Sequence, residues 1–500
     1  METTEVVRGA EARRLTAETL GSFADQVTVP TYARDALRGA IVHLGVGGFH
    51  RAHQALYLDD LAQRGISLDW GEHGVGLLPA DRRMAEALIP QDCLYTLVER
   101  GAERDTARIV GSLGGYLFAP DDPARVLGLL VDPMTRIVSL TITEGGYLVD
   151  DKTGIFDADD PMVRGDTDLD APTTAFGYLC SALAQRRAAG TPPFTILSCD
   201  NLQGNGRVAR TAVVSFAGLR DEALAAWIDA NVAFPNAMVD RITPQTTDPD
   251  RAMVAAAFGV ADAWPVMTEP FRQWVIEDTF SYGRPPLEEV GVQIVPDVHP
   301  YETMKLRLLN ASHQALAYLG YLAGHRYVHE AAADPAVRTL IARMMDEEVS
   351  PLLPPVPGVD LAEYKRSLLE RFSNPKIKDT LARLAFGGSD RMPKFLLPSL
   401  AEALAEGRPH RLLTLATAGW LRYLRGTDEQ GNEIVLQDDR ADELRRLANE
   451  GRGDPRPLLS VRRVFGDLGD NAAWVAELGA ALQDLDARGA RAVLDSLPAA

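Results

Sequence analysis

The stretch "HPYETMKLRLLNASHQALAYLG" holds the residue types best suited to chemistry in this chain. Met304, Leu306, Leu308, Leu309, Ala311, Ala315, Leu316 and Leu319 make it apolar nearly all round, the pattern of a buried helix. Lys305, Asn310 and His313 are embedded among them, and Glu302 stands one turn before the lysine. At about 100° per residue, Asn310 and His313 lie about 140° and 80° from Lys305, within one half of the helix surface. A desolvated lysine gives up its proton near neutral pH and can serve as a general base. The same residues also read as a Glu302–Lys305 pair on a solvated face. The apolar context favours a buried polar cluster, and such a cluster must be internally paired, as a structural or a catalytic element.

A second candidate is "HLGVGGFHRAHQ", His43 to Gln54, where an apolar run ends in glycines and a helix-like stretch follows. Gly45 and Gly47 match the first two positions of the dinucleotide fingerprint G-x-G-x-x-G, which permit a tight turn and close approach of backbone to pyrophosphate. The third position is His50, so the fingerprint is incomplete. Gly48 adds turn freedom, and with Phe49 it opens the helix whose first amides, with Arg51, can hold phosphate. A plain strand-to-helix turn accounts for the same glycines. His50 and His53 are spaced to share a metal, but no nearby acid or cysteine completes a ligand set. They are expected to pack, with no metal bound. Asp81, in "GVGLLPADRRM", is the candidate for a ribose hydroxyl, although it follows the glycines by more than the typical ~20 residues. An acid there favours NAD over NADP, while Arg82 and Arg83 beside it could accept a 2′-phosphate.

These residues need a scaffold, and the pattern supplies one. "AIVHLGVGG", "HGVGLLP", "TRIVSLTIT" and "PFTILSCDN" are short β-rich runs separated by helical stretches such as "HRAHQALYLDDLAQRG", predicting βαβ units and a mostly parallel sheet. Ligands of such sheets bind beyond the carboxyl ends of the strands. That places "TEGGY" (143–147) and "CDNLQGNG" (199–206) where chemistry would occur. The Gly- and Pro-rich segment 281–300 marks a boundary near residue 295, beyond which "PAVRTLIARMMDEEV", "AEYKRSLLERF", "IKDTLARLAF" and "HRLLTLATAGWLRYLRG" read as helices. The expected architecture is therefore α/β: a Rossmann-like NAD-binding domain over 1–295 and a mainly helical substrate and catalytic domain over 296–500.

Composition narrows the function. The 500 residues are too many for one ordinary core. A net charge of −19 argues against a sequence-independent nucleic-acid binder, while leaving room for a small anionic substrate. "METTEVVRGAEARRL" has no apolar leader core, and no apolar run is long enough to span a bilayer. The cysteines, Cys93, Cys180 and Cys199, are isolated, as expected in a reducing cytoplasm.

Taken together and in order, "GVGGFHRAHQ", "TEGGY", "SCDNLQGNG", "FPNAMVDRITP", "EPFRQWVIED" and "KLRLLNASH" resemble the long-chain mannitol dehydrogenase family over most of the chain. That family comprises polyol dehydrogenases and fructuronate or tagaturonate reductases. The resemblance implies a zinc-independent hydride transfer between a polyol and NAD. It implies Lys305 as general base, Asn201 and Asn310 as holders of the reacting oxygen, His313 as a substrate-orienting residue, Asp240 as an acidic substrate contact and Glu302 as a proton relay. Arg383, Arg391 and Lys394 are candidates for the substrate hydroxyls. Mannitol and fructose come first as substrates, another hexitol or pentitol such as sorbitol or arabinitol next, and fructuronate third. Monomers occur in the family, so a monomer is expected. A protein that binds NAD and sugar without turnover is the contrasting reading, and the intact Lys305, Asn201 and Asn310 set stands against it.

Overall fold

Strand β1 (Gly39–Leu44) leads into a glycine turn, two successive helical segments and strand β2 (Gly71–Gly76), the first of the βαβ units that the apolar runs predict. The computed structural model describes residues 12–150, 153–166 and 171–498 and divides into two units, Met1–His299 and Pro300–Ala500. The start of the chain, searched above for a leader, lies outside the described residues through position 11.

In the first unit β1 and β2 belong to a five-stranded sheet with β5 (Leu113–Phe118), β6 (Ile137–Leu140) and β7 (Thr195–Ser198), all parallel, in the order β5-β2-β1-β6-β7. The chain builds outward from β1 to β5 and then returns to build outward on the other side. The order therefore reverses between β1 and β6, and the carboxyl ends of these two strands flank the crevice where ligands of such sheets bind. Both faces are covered. Val42, Leu44, Val138, Leu140 and Ile196 pack toward the helices Pro123–Val131, Ala175–Ala189 and Asn205–Gly218. Ile41, Ile137 and Leu197 pack on the opposite side against Leu58, Leu61, Trp274 and Ile276.

Three smaller sheets complete the described part of the unit, one of them only a parallel pairing of Arg13–Arg14 with Val260–Ala261. β3 (Tyr95–Arg100) and β4 (Asp105–Val110) form an antiparallel pair that the apolar runs above do not include, and β9 (Val266–Thr268) lies parallel to β3. β8 (Ala237–Asp240) runs antiparallel to β10 (Gln273–Glu277), which pairs in parallel with β11 (Gln293–Val295). The stretch expected as one helix after the glycine turn is two: α1 (Gly48–Ala52) and α2 (Gln54–Gln63) are separated by His53, whose φ −122° and ψ −90° interrupt the helix.

The second unit is helical. Helix Arg411–Tyr423 is buried along nearly its whole length and packs against Ala472–Asp495 and the turn Leu316–Gly320. The Trp474 indole N–H donates to Thr414 Oγ1 at 3.1 Å, satisfying a polar atom inside that contact. "IKDTLARLAF" gives only a short helix, Leu381–Ala385, because Thr380 is extended and its hydroxyl caps the Arg383 amide.

One buried cation fastens the parallel sheet to its covering helices. Arg186, with no exposed surface, donates to the carbonyls of Leu130, Asp132, Thr135 and Pro192 at 2.8–3.0 Å. Arg186→Met strands those carbonyls and should lower unfolding stability by about 3 kcal/mol or more in urea titration. A loss below about 1 kcal/mol would mean that the four bonds are replaced by water.

Candidate functional site

The glycine turn sits at the open end of β1. Gly45 has φ +93°, and a Cβ there would fall 2.2 Å from the Thr141 carbonyl oxygen, so only glycine fits between the ends of β1 and β6. At Gly47 a Cβ would meet nothing closer than the Gly45 oxygen at 3.9 Å, which leaves free space over the backbone there. Gly48 meets only a Thr243 methyl at 3.6 Å, and Phe49 stacks on His53 with centroids 4.9 Å apart. Beyond β2, Asp81 Oδ2 accepts the amides of Leu77 and Leu78 at 2.9 and 2.8 Å, while Oδ1 takes no bond among the described residues. A carboxylate fixed by one oxygen beside a strand end, with the other free, suits a ribose diol. Arg82 is drawn away to Asp121, at 2.7 and 3.2 Å, and over the Phe118 ring, so it does not offer itself to a 2′-phosphate. Open backbone at Gly47 and a half-free acid at Asp81 fit an NAD-type dinucleotide.

The other polar residues of the turn face inward. Arg51 is buried, with Nε on the Gly47 carbonyl at 3.3 Å and its guanidinium over the Tyr95 ring, so it braces the turn from below instead of meeting phosphate. His50, where the fingerprint has glycine, stacks on His43 of β1 with centroids 3.6 Å apart and an interplanar angle of 11°. Its Nε2 lies 3.2 Å from Glu72 Oε2 of β2. His43 spans Ser139 Oγ and Thr141 Oγ1, both at 2.8 Å, and Gln54 donates to Ser139 and Glu72. His53 packs among Phe49, Tyr57 and Trp274, with Nε2 2.9 Å from the Gln273 carbonyl. The two histidines thus have separate partners. Among the described residues no group of three or more His, Cys, Asp or Glu is placed to hold a metal.

At the ends of β6 and β7 the polar tails converge on Asp200. Its carboxylate accepts the amides of Ile142 and Thr143, both at 3.0 Å, and the Tyr147 hydroxyl at 2.7 Å. Thr143 has φ +69° and ψ 161°, a region that only glycine occupies readily, and the Asp200 bond holds it there. Asn201, the next residue, is exposed. Asn205 donates to the Asp200 and Ala237 carbonyls and accepts the Ala237 amide, tying β7 to β8. Asp240 is the buried last residue of β8, paired with Gln273, and Arg241 after it binds the carbonyls of Ala52 and Glu269. Asp200, Tyr147, Thr141 and His43 carry this end of the sheet. All four stand within "HLGVGGFHRAHQ", "TRIVSLTIT", "TEGGY" and "PFTILSCDN", yet nothing in their spacing marks them out.

In the helical unit, Glu302 ends up in a short helix (His299–Met304) and is 5% exposed, while Lys305 and Asn310 are each 7% exposed. This burial removes the solvated-face reading of the pair. Lys305–Asn310 is a π-helical segment, not an α-helix. Its defining hydrogen bond joins residues five apart, which narrows the angle between Lys305 and Asn310 below the roughly 140° that α geometry implies. His313 follows in Ala311–Ala315, its ring 4.7 Å from that of Phe372. Arg391 lies in Gly388–Phe395, which packs on the π segment, and donates to the carbonyls of Arg383 and Leu384 at 3.3 and 3.1 Å. Arg383 is half-exposed and paired through two nitrogens with buried Asp379. Lys305 and Asn310 share one buried π segment of this unit; Asn201, Asp240 and the glycine turn belong to the other.

A family model described as the mannitol dehydrogenase Rossmann domain matches residues 39–289, and one described as the mannitol dehydrogenase C-terminal domain matches 297–486. The chain is 50% identical to a mannitol 2-dehydrogenase of Phaeosphaeria nodorum, over 94% of this chain and 83% of that protein. It is 48% identical to a mannitol dehydrogenase of Saccharomyces cerevisiae, over 97% and 98%. Among solved structures it is similar to Pseudomonas fluorescens mannitol 2-dehydrogenase in a ternary complex with NAD and D-mannitol, with TM-score 0.89, 44% identity and coverage of 97% and 99%. A D-sorbitol dehydrogenase in substrate-free form follows with TM-score 0.88, 38% identity and coverage of 96% and 100%.

The buried network under the turn gives stability a defined pH dependence. Burial lifts the Glu72 carboxyl from 4.5 to about 7, and it lowers His50 and His53 to about 3 and His43 well below its ordinary range. The raised acid contributes stability that is present below pH 4.5 and is lost as pH rises through 7; the lowered histidines act oppositely, losing theirs as pH falls below 6.5. Glu72→Gln removes only the first dependence. Its stability relative to the parent should therefore improve by about 3 kcal/mol between pH 4 and pH 8, read from chemical denaturation at both. A difference that stays flat or shrinks toward pH 8 would show that Glu72 is ionised throughout.

Proposed function

The chain belongs to the mannitol dehydrogenase family, and from that premise we propose that it interconverts D-mannitol and D-fructose with NAD, using Lys305 as the general base. The observation that supports this reading is the burial of both Lys305 and Asn310 within one π segment. A buried lysine with an amide one turn away offers a proton acceptor and an oxygen holder for the same carbinol. Gly45, Gly47, Gly48 and Phe49 would form the turn that receives NAD, and Asp81 would hold its ribose. When bound, NAD supplies the hydride acceptor.

In oxidation, Lys305 takes the hydroxyl proton, and Glu302, one turn earlier, passes it outward. Asn201 and Asn310 hold the oxygen as charge develops on it. In reduction, the Lys305 ammonium and the same amides polarise the ketone, doing by charge-assisted hydrogen bonds what a Lewis acid does elsewhere, so the reaction needs no zinc. His313 orients the substrate, and Asp240, Arg383 and Arg391 meet its remaining hydroxyls. Charge favours a neutral polyol over a uronate: Arg383 is already balanced by Asp379, and Asp240 adds a negative charge. The isolated, buried thiols of Cys93, Cys180 and Cys199 suit a reducing cytoplasm. We expect a monomer there.

The deciding experiment follows the NADH or NADPH formed from D-mannitol, sorbitol and arabinitol, and the NADH or NADPH consumed with D-fructose and with fructuronate. Among the polyols fastest turnover with D-mannitol and NAD is expected, with D-fructose reduced in return; turnover of fructuronate alone would overturn the polyol assignment. Lys305→Ala should lower kcat by about a thousandfold while NADH still binds, and unchanged turnover would remove Lys305 from its role. Asp81→Ala should raise KM for NAD about tenfold and narrow the preference over NADP, an outcome reversed if the parent already prefers NADP.

A further inference from the structure

The hydrogen bonds beneath the glycine turn admit one proton arrangement. Thr141 has a single hydroxyl proton, and its Oγ1 lies 2.6 Å from the Gly45 carbonyl, which can only accept. That proton is therefore committed to Gly45. The His43 Nε2, 2.8 Å from the same Oγ1, must then donate. A buried, neutral His43 has no second ring proton, so its Nδ1 accepts from Ser139 Oγ at 2.8 Å. Ser139, its proton spent, accepts from Gln54 Nε2 at 2.8 Å. The same amide donates to Glu72 Oε2 at 3.3 Å, and Gln54 Oε1 takes the Cys199 thiol at 3.5 Å. Reversing any member sets acceptor against acceptor.

The end of this relay is the peptide between Gly45 and Val46, at the point where strand order reverses. Thr141 holds it three ways: its amide donates to Leu44 at 3.0 Å, its carbonyl fills the space that a Gly45 Cβ would need, and its hydroxyl fixes the Gly45 oxygen. Across a planar trans peptide the Val46 N–H points opposite to that oxygen. We propose that Thr141, oriented by His43, is a positioning residue for the dinucleotide turn, aiming the Val46 amide at the cofactor's pyrophosphate. His50 takes part through its stack on His43, which explains an imidazole where the fingerprint has its third glycine.

This role rests on the NAD reading above, and the test separates the two. NADH affinity is measured by fluorescence titration, apart from turnover, on the parent, Thr141→Val and Thr141→Ser. Thr141→Val, which keeps the shape and loses the donor, should raise the NADH Kd about tenfold, the worth of one lost hydrogen bond, with kcat at saturating NADH within about twofold. Thr141→Ser should restore the parent Kd. A Thr141→Val protein that binds NADH within about twofold of the parent overturns the positioning role and leaves the NAD reading standing; a parent that binds no NADH overturns both. Nitrogen NMR of the parent reads the relay without cofactor or mutation, and so decides the matter even if Thr141→Val fails to fold. His43 should carry its proton on Nε2, and a proton on Nδ1 would overturn the proposed arrangement.

Discussion

Two polar side chains, His43 and Ser139, sit side by side in neighbouring strands of a sheet buried on both faces, and the first unit is organised around satisfying them. An interior strand of a parallel sheet usually presents apolar residues alone. A histidine there is costly unless both nitrogens find partners. Ser139 and Thr141, two residues apart on the adjacent strand, face the same way and bracket the ring. His50 covers it, and Glu72 and Gln54 close the remaining positions. The turn above is held by the same atoms that keep the sheet interior dry.

The helical unit solves a different problem. A lysine and an asparagine five residues apart diverge on an α-helix, and the local widening to a π turn narrows the angle between them. The widened turn buries Leu306, Leu308 and Leu309, while on its outer side Arg307 pairs with Glu402. Its geometry is set by packing, since propensity alone would return it to α.

Much of this was legible in the chain. The parallel sheet announced itself through β-branched runs ending in polar residues, and Lys305 through its apolar surroundings. What escaped has physical causes. His50 could not be understood without His43, which hides inside the run "AIVHL", and Glu72, which comes from the next strand; stacking across strands leaves no periodic trace. The break at His53 is a backbone angle that helical spacing does not register. Arg51 read as a phosphate ligand because it follows glycines, yet its stem turns inward to Tyr95. The angle between Lys305 and Asn310 was miscounted because 100° per residue presumes the α-helix that this segment abandons. Asp200 was overlooked beside Asn201, since a carboxylate that binds backbone amides looks the same in sequence as one that binds a ligand.

A π turn holds one residue more than the α turn it replaces. The segment from His299 to Gly320 contains two such turns, Lys305–Asn310 and Leu316–Gly320, so each carries a residue that α geometry would not need. Length and geometry are thereby linked in this helix. Loss of a single residue between 306 and 309 would leave the lysine and the asparagine four apart on an ordinary α-helix, still neighbours on one face. In a lineage descended from this chain, a gap of one at that place is compatible with both the shape and the pair, whereas straightening the turn at full length would set the asparagine about 140° from the lysine.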